Sequence, residues 1–160
     1  GKQGVVNTSV MNEAINVMTS LNKAAAEAMV EVGVNSCSDV TGFGLLGHLL
    51  EMTEGSHVSA TINRASVPVI DGTLDLISEG IAPGGTLRNL EAIEPHVSWS
   101  NNISQNDRVL LADAQTSGGL LISVSEPNTK QLLNVLEDKG IDNAVVIGTI
   151  KEYNRASLFR

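Results

Sequence analysis

The chain has 160 residues and a mass of 16.8 kDa, the size of one ordinary domain, and its 42% hydrophobic content is enough to build a core. Aromatic residues make up only 2%, the formal net charge is -8, the sequence pI is near 4.7, and Lys and Arg form no cluster. With few rings to stack bases and a net charge that repels polyanions, DNA, RNA and anionic membranes are excluded as expected partners.

No apolar run approaches the roughly 20 residues that span a bilayer, and the N-terminus lacks a signal-peptide h-region. The expectation is one globular domain over residues 1–160 of a soluble, cytoplasmic protein, and the start at Gly1 suggests a piece of something longer. Cys37 is the only cysteine, which rules out an intramolecular disulfide framework and a zinc cluster. It reads as a small buried residue, since Asp39 gives it the wrong local charge for a nucleophile.

Met11, Ala14, Ile15, Met18, Leu21, Ala25, Ala28, Met29 and Val32 recur at the helical period, giving one amphipathic helix ended by Gly33, or two if Thr19-Ser20 caps a second. The stretch 34–38 leads to the glycine-rich segment Asp39-Val40-Thr41-Gly42-Phe43-Gly44-Leu45-Leu46-Gly47-His48-Leu49, which opens a helix through Met52 with its stop at Gly55. Residues 58–62 alternate and are β-branched, as in a strand. A helix is expected over Pro68 to Glu79, closed by Gly80, and a short one over Leu87 to Ile93 after the loop Pro83-Gly84-Gly85-Thr86. Pro95 to Asn106 reads as an irregular surface connection. Asp113-Ala114-Gln115-Thr116-Ser117-Gly118-Gly119 then feeds a strand at 120–124, and the chain closes with a helix at 129–139, a strand at 144–150 and a terminal strand at 156–159. The irregular alternation points to a layered α+β domain.

Three segments carry candidate chemistry. Glycines ahead of an apolar helix suit either close helix packing or an anion at the helix N-terminus, and Asp39 could hold the cation that neutralises that anion. Mg2+ commonly takes one or two carboxylates plus phosphate oxygens and waters, so Asp39 alone makes no complete site and further ligands must come from elsewhere. Gly42, Gly44 and Gly47 also fit the dinucleotide pattern G-x-G-x-x-G, but the element before them reads as helical, and Ile62-Asn63-Arg64 stands where a ribose-binding acid belongs. His48 reads as a structural residue at the edge of a packed helix face, and His57 and His96 as loop residues without partners. The 113–119 stretch is either a turn whose glycines permit close backbone approach or a polar rim of Asp113, Gln115, Thr116 and Ser117 facing a ligand. Residues 83–86 with Asn89 form a capped helix start by default, and an anion-facing loop if they lie beside the other two segments.

In their order, these three segments closely resemble the C-terminal half of the selenophosphate synthetase family, within the superfamily of aminoimidazole ribonucleotide synthetase. The resemblance extends to the helical lead-in 21–29 and covers nearly the whole chain. It implies a layered α/β/α C-terminal domain of that superfamily's type, with a mixed sheet, helices and a partly ferredoxin-like layout, packed beside an N-terminal domain that carries most ATP contacts. The implied reaction converts selenide, ATP and water to selenophosphate, AMP and phosphate with Mg2+, in a full-length homodimer. Asp39 matches the family's magnesium-ligand aspartate, and Thr41, Gly42 and Gly44 would form the wall on the phosphate and nucleotide side.

The family's catalytic cysteine or selenocysteine and its lysine lie in an N-terminal segment that nothing here matches, so no catalytic residue is expected in this chain and the fragment alone is expected to be inactive. Ala114 stands where the family commonly has proline. Alternatives are a non-catalytic binding or regulatory module, and the C-terminal domain of another ATP-dependent enzyme of the superfamily.

Overall fold

The computed structural model describes residues 8–153. The helical lead-in is two helices, α1 (Thr8–Thr19) and α2 (Lys23–Val32). Thr19 and Ser20 close the first rather than cap the second: their hydroxyls donate back to the carbonyls of Ile15 and Asn16 at 2.8 and 2.7 Å. Asn22, at the head of α2, turns its amide to the Gly118 carbonyl at 3.2 Å. A short strand β1 (Ser36–Asp39) follows, where the sequence pattern predicts no regular element.

The helix of the glycine-rich segment is α3 (Gly44–Ser56). Gly55 does not end it; His57 does, in the left-handed region at φ 52, donating its N–H to Glu54, and β2 (Val58–Ile62) starts at the next residue. The expected helix from Pro68 shrinks to α4 (Thr73–Ser78), because Gly72 sits at φ +79, a conformation no helix interior accepts. Helix α5 (Gly84–Ile93) takes in the two glycines after Pro83. The stretch 95–106, expected to be irregular throughout, ends in the start of α6 (Gln105–Leu111), set by a capping box in which Ser104 and Asp107 satisfy each other's backbone N–H groups. Strand β3 (Leu120–Ser123), helix α7 (Glu126–Asp138) and strand β4 (Gly148–Glu152) complete the described chain. The terminal strand expected at 156–159 lies outside the described residues.

The architecture is α+β as expected, but in place of the expected mixed sheet the described residues form two separate antiparallel ribbons, β1–β3 and β2–β4. In the first, Ser38 stands opposite Leu121 and Asp39 opposite Leu120. Because strand side chains alternate between faces, the register separates two layers. Leu121 enters a core with Leu46 and Leu49 of α3, Leu90 and Ile93 of α5, and Val109 and Leu111 of α6. Leu120 and Ile122 pack on the other side, against a core of Ala25 and Ala28 from α2 and Leu132 and Leu136 from α7. The β1–β3 ribbon is thus the middle layer between two sets of helices. Cys37 and Asp39 share the α2–α7 face of β1, at its exposed margin, and Ser36 and Ser38 lie on the opposite face, where Ser38 meets His48 of α3. No helix among the described residues is long and apolar enough to cross a membrane.

Candidate functional site

The three glycine-rich segments meet at the C-terminal end of β1. The Val40 N–H donates to Gly119 and the Val40 carbonyl accepts from Gly118, at 3.0 and 2.9 Å. The Thr41 carbonyl accepts from both Gly44 and Gln115 at 3.0 Å. From α5, the Asn89 amide reaches the carbonyls of Gly42 at 2.8 Å and Ala112 at 3.2 Å, so a single side chain ties the first and third segments together. Residues 83–89 therefore lie beside the other two, the condition for a shared site.

Gly44 and Gly42 differ sharply. Gly44 is buried at φ +71, and a Cβ there would lie 2.7 Å from the carbonyl carbon and oxygen of Ala112. It lets the start of α3 press onto the third segment. Gly42 is exposed with open space where its Cβ would stand. Gly118 is another close approach, with a Cβ position 2.5 Å from the Val40 carbonyl oxygen.

The polar rim expected at 113–117 is in large part inward bracing. Thr86 has no exposed surface, and its hydroxyl donates to Asp113 Oδ1 at 2.7 Å while accepting the Ala114 N–H at 3.2 Å. Gln115 occupies Asp113 Oδ2 at 2.8 Å. With both oxygens engaged, Asp113 holds the junction together and is a poor cation ligand. The Ala114 N–H is a donor that proline lacks, so the departure at this position adds a bond.

Asp39 is the opposite case. It is exposed at the margin of the α2–α7 face of β1, and no described side chain hydrogen-bonds or ion-pairs with its carboxylate. A lone hard oxygen donor suits one Mg2+ position whose other ligands are phosphate oxygens and waters, and no group of three His, Cys, Asp or Glu among the described residues could supply a complete site. Thr41 is half-buried and spends its hydroxyl on His48 Nε2 at 3.2 Å.

Cys37 is exposed, which corrects the expectation of a buried residue: it precedes Asp39 by two on the same face of β1. Partial burial, and then the Asp39 carboxylate, push its thiol pKa up. Both effects disfavour the thiolate, the form that acts as a nucleophile. His48 is buried, as expected of a structural residue, whereas His96 has a partner in Glu54, 3.7 Å away. Residues missed in the sequence are Glu51, which meets His48 Nδ1 at 3.2 Å, and Phe43, 58% exposed. Phe43 helps line a cleft of about 170 Å3 between α3 and α5, with Asn89 and Ile93. A wider hollow of about 560 Å3 over the outer side of α2 holds none of the motif residues.

The dinucleotide reading fails on topology. A strand does precede the glycines, but β1 pairs antiparallel with β3, and β2, which follows α3, pairs with β4 instead. The described residues contain no parallel βαβ unit to place a pyrophosphate.

A family model described as AIR synthase related protein, C-terminal domain, matches residues 5–159. The chain belongs to that family. As a member of the AIR synthase related family, it is 40% identical over 140 residues to the selenide, water dikinase of Carboxydothermus hydrogenoformans, covering 88% of this chain and 40% of that protein. The enzyme of the same name from Caldanaerobacter subterraneus subsp. tengcongensis is 40% identical over 166 residues, covering 98% of this chain and 48% of its own length. That of Aliarcobacter butzleri is 36% identical over 149 residues, covering 93% and 43%. The chain thus spans less than half the length of these curated relatives.

Proposed function

We propose that this AIR synthase related domain forms one wall of the active site of a selenide, water dikinase, a cytoplasmic enzyme that makes selenophosphate from selenide, ATP and water. In this reading residues 1–160 are a single domain, and an N-terminal half of the full-length homodimer supplies most ATP contacts and the reactive side chains. The observation that carries it is the meeting of residues 39–44, 83–89 and 113–119 at one strand end, with Asp39 left outward and unpaired.

Asp39 would hold Mg2+, Thr41 and Gly42 would shape the wall facing the phosphates, and buried Gly44, expected in that wall, would instead let its backbone pack onto the 113–119 segment. When bound, Mg2+ neutralises charge that builds on the phosphate oxygens during phosphoryl transfer, a reaction governed by positioning and electrostatics. The domain's own part is positional: the backbone bonds of Val40 and Thr41 fix the strand end, and Thr86, Asn89 and Asp113 keep the three loops in register. Among the described residues, Thr86, Asn89, Asp113 and Gln115 are committed to each other and to backbone, so in this reading the reactive groups come from the other half. The test compares the purified 160-residue chain with the full-length protein in ATP turnover with selenide. Turnover in the full-length protein and none in the isolated chain is expected; an enzymatic rate from the isolated chain refutes the division of labour.

A further inference from the structure

We propose that His48 is a positioning residue for Asp39: its ring braces the chain on both sides of the aspartate and fixes the direction in which the carboxylate is presented. The inference rests on the reading of Asp39 as a metal ligand. His48 is 7% exposed on the second turn of α3. Its Nδ1 lies 3.5 Å from Ser38 Oγ and 3.2 Å from Glu51 Oε2, and its Nε2 lies 3.2 Å from Thr41 Oγ1. Ser38 immediately precedes Asp39, and Thr41 follows it by two residues. The two nitrogens of one buried ring therefore hold the residues that flank the exposed carboxylate.

One proton placement satisfies the whole set. A proton on Nδ1 is donated to Glu51 and shared with Ser38, Nε2 accepts from the Thr41 hydroxyl, and the Ser38 hydroxyl donates to the Asp39 carbonyl at 3.2 Å. No ring nitrogen is left for a substrate, so His48 acts through its neighbours. Such bracing matters at this point because β1 has four residues and Asp39 is the last, where a strand's hold on its side-chain direction is weakest. Thr41 carries the effect onward, since its carbonyl accepts from Gly44 and Gln115, one from each adjoining segment.

The test uses the full-length protein with His48→Leu, His48→Gln, Thr41→Val and the Leu/Val double variant, with Asp39→Asn as reference. The glutamine amide reaches the position of Nε2 and can keep the Thr41 contact. The readouts are the Mg2+ concentration for half-maximal ATP turnover, kcat, Mn2+ binding by electron paramagnetic resonance with a non-hydrolysable ATP analogue, and the thermal midpoint. Loss of a group that orients a metal ligand typically weakens metal binding about 10- to 100-fold. His48→Leu and Thr41→Val should each raise the Mg2+ requirement and weaken Mn2+ binding by about that factor, the double variant should be no worse than either, and His48→Gln should restore most of the loss. Unchanged metal binding in Thr41→Val, or no rescue by glutamine, overturns the proposal, and both remain readable if His48→Leu does not fold. A falling thermal midpoint with metal binding intact would make His48 merely structural and also overturns it. If Asp39→Asn leaves metal binding unchanged, the ligand assignment itself has failed, and this inference with it.

Discussion

Replacing Gly44 and Gly42 separately with alanine tests whether the two glycines do different things. At Gly44 the alanine inherits φ +71, a conformation that costs an L-residue about 1–2 kcal/mol. Its Cβ would stand 2.7 Å from Ala112 C and O and 2.8 Å from Asp113 O, all backbone atoms that cannot swing aside. Forcing α3 away from that segment adds about 1–3 kcal/mol, as for other overpacked sites. The reduced entropy of the unfolded chain returns roughly 0.4–1 kcal/mol. The net loss is about 1–4.6 kcal/mol, a large share of the roughly 5–15 kcal/mol of a typical domain. At about 2–4 °C per kcal/mol for a chain of this size, the midpoint should fall by ~2–18 °C. Gly42 has no positive φ and open space at its Cβ, so Gly42→Ala should stay within about 0.5 kcal/mol of wild type. Urea and thermal unfolding followed by far-UV circular dichroism measure both. A loss below about 1 kcal/mol for Gly44→Ala, or equal losses for the two, would refute the assignment of Gly44 to packing and Gly42 to an open wall.

Gly42→Ala in the full-length protein should instead weaken binding of the metal–ATP complex while leaving the thermal midpoint in place; calorimetric titration that finds affinity unchanged would remove Gly42 from the ligand-facing wall. Thr86→Val leaves the Ala114 N–H and an Asp113 oxygen without their partner in a fully buried position, and should cost about 1–3 kcal/mol in urea unfolding. Asp107 has its carboxyl held below the usual range, first by the Ser104 hydroxyl and further by Arg64 at 2.8 Å. A pKa lowered on folding contributes stability that is full above the unfolded value of about 3.9 and is lost as pH falls through the folded value. Stability measured from pH 7 down to 2 should therefore fall more steeply below about pH 5 in the wild type than in Asp107→Asn, and parallel curves would contradict the assignment.

Segments with one dominant local signal were legible in the sequence. Strand β2 is bounded as the alternation of Val58 to Ile62 implies, and α7 differs from its expected span mainly because Pro127 suits a helix's first turn. Errors arose where a backbone conformation decides the boundary: Gly72 cuts α4 short, and His57 takes the left-handed turn that Gly55 was expected to take. Helix α6 was hidden because its Ser-x-x-Asp box sits in a stretch whose Ser and Asn content resembles a loop. At the site, Asp39 and the three segments could be named from residue types and order. Their convergence could not, because it depends on contacts such as Asn89 with Gly42, 47 positions apart, and Thr86 with Asp113, 27 apart. Nor could sequence alone separate the two aspartates. Asp39 and Asp113 each open a glycine-containing segment, and only the register of β1 and the bonds from Thr86 and Gln115 show one carboxylate outward and the other engaged.

The central claim is that Asp39 gives this domain's wall its metal-holding group in an enzyme completed by another half. Asp39→Asn keeps the size of the side chain and removes its charge, and no bond within the described fold depends on that carboxylate. In the full-length protein the variant should unfold at the wild-type temperature and form no selenophosphate from ATP and selenide above background. Near-normal selenophosphate formation by Asp39→Asn would contradict the account.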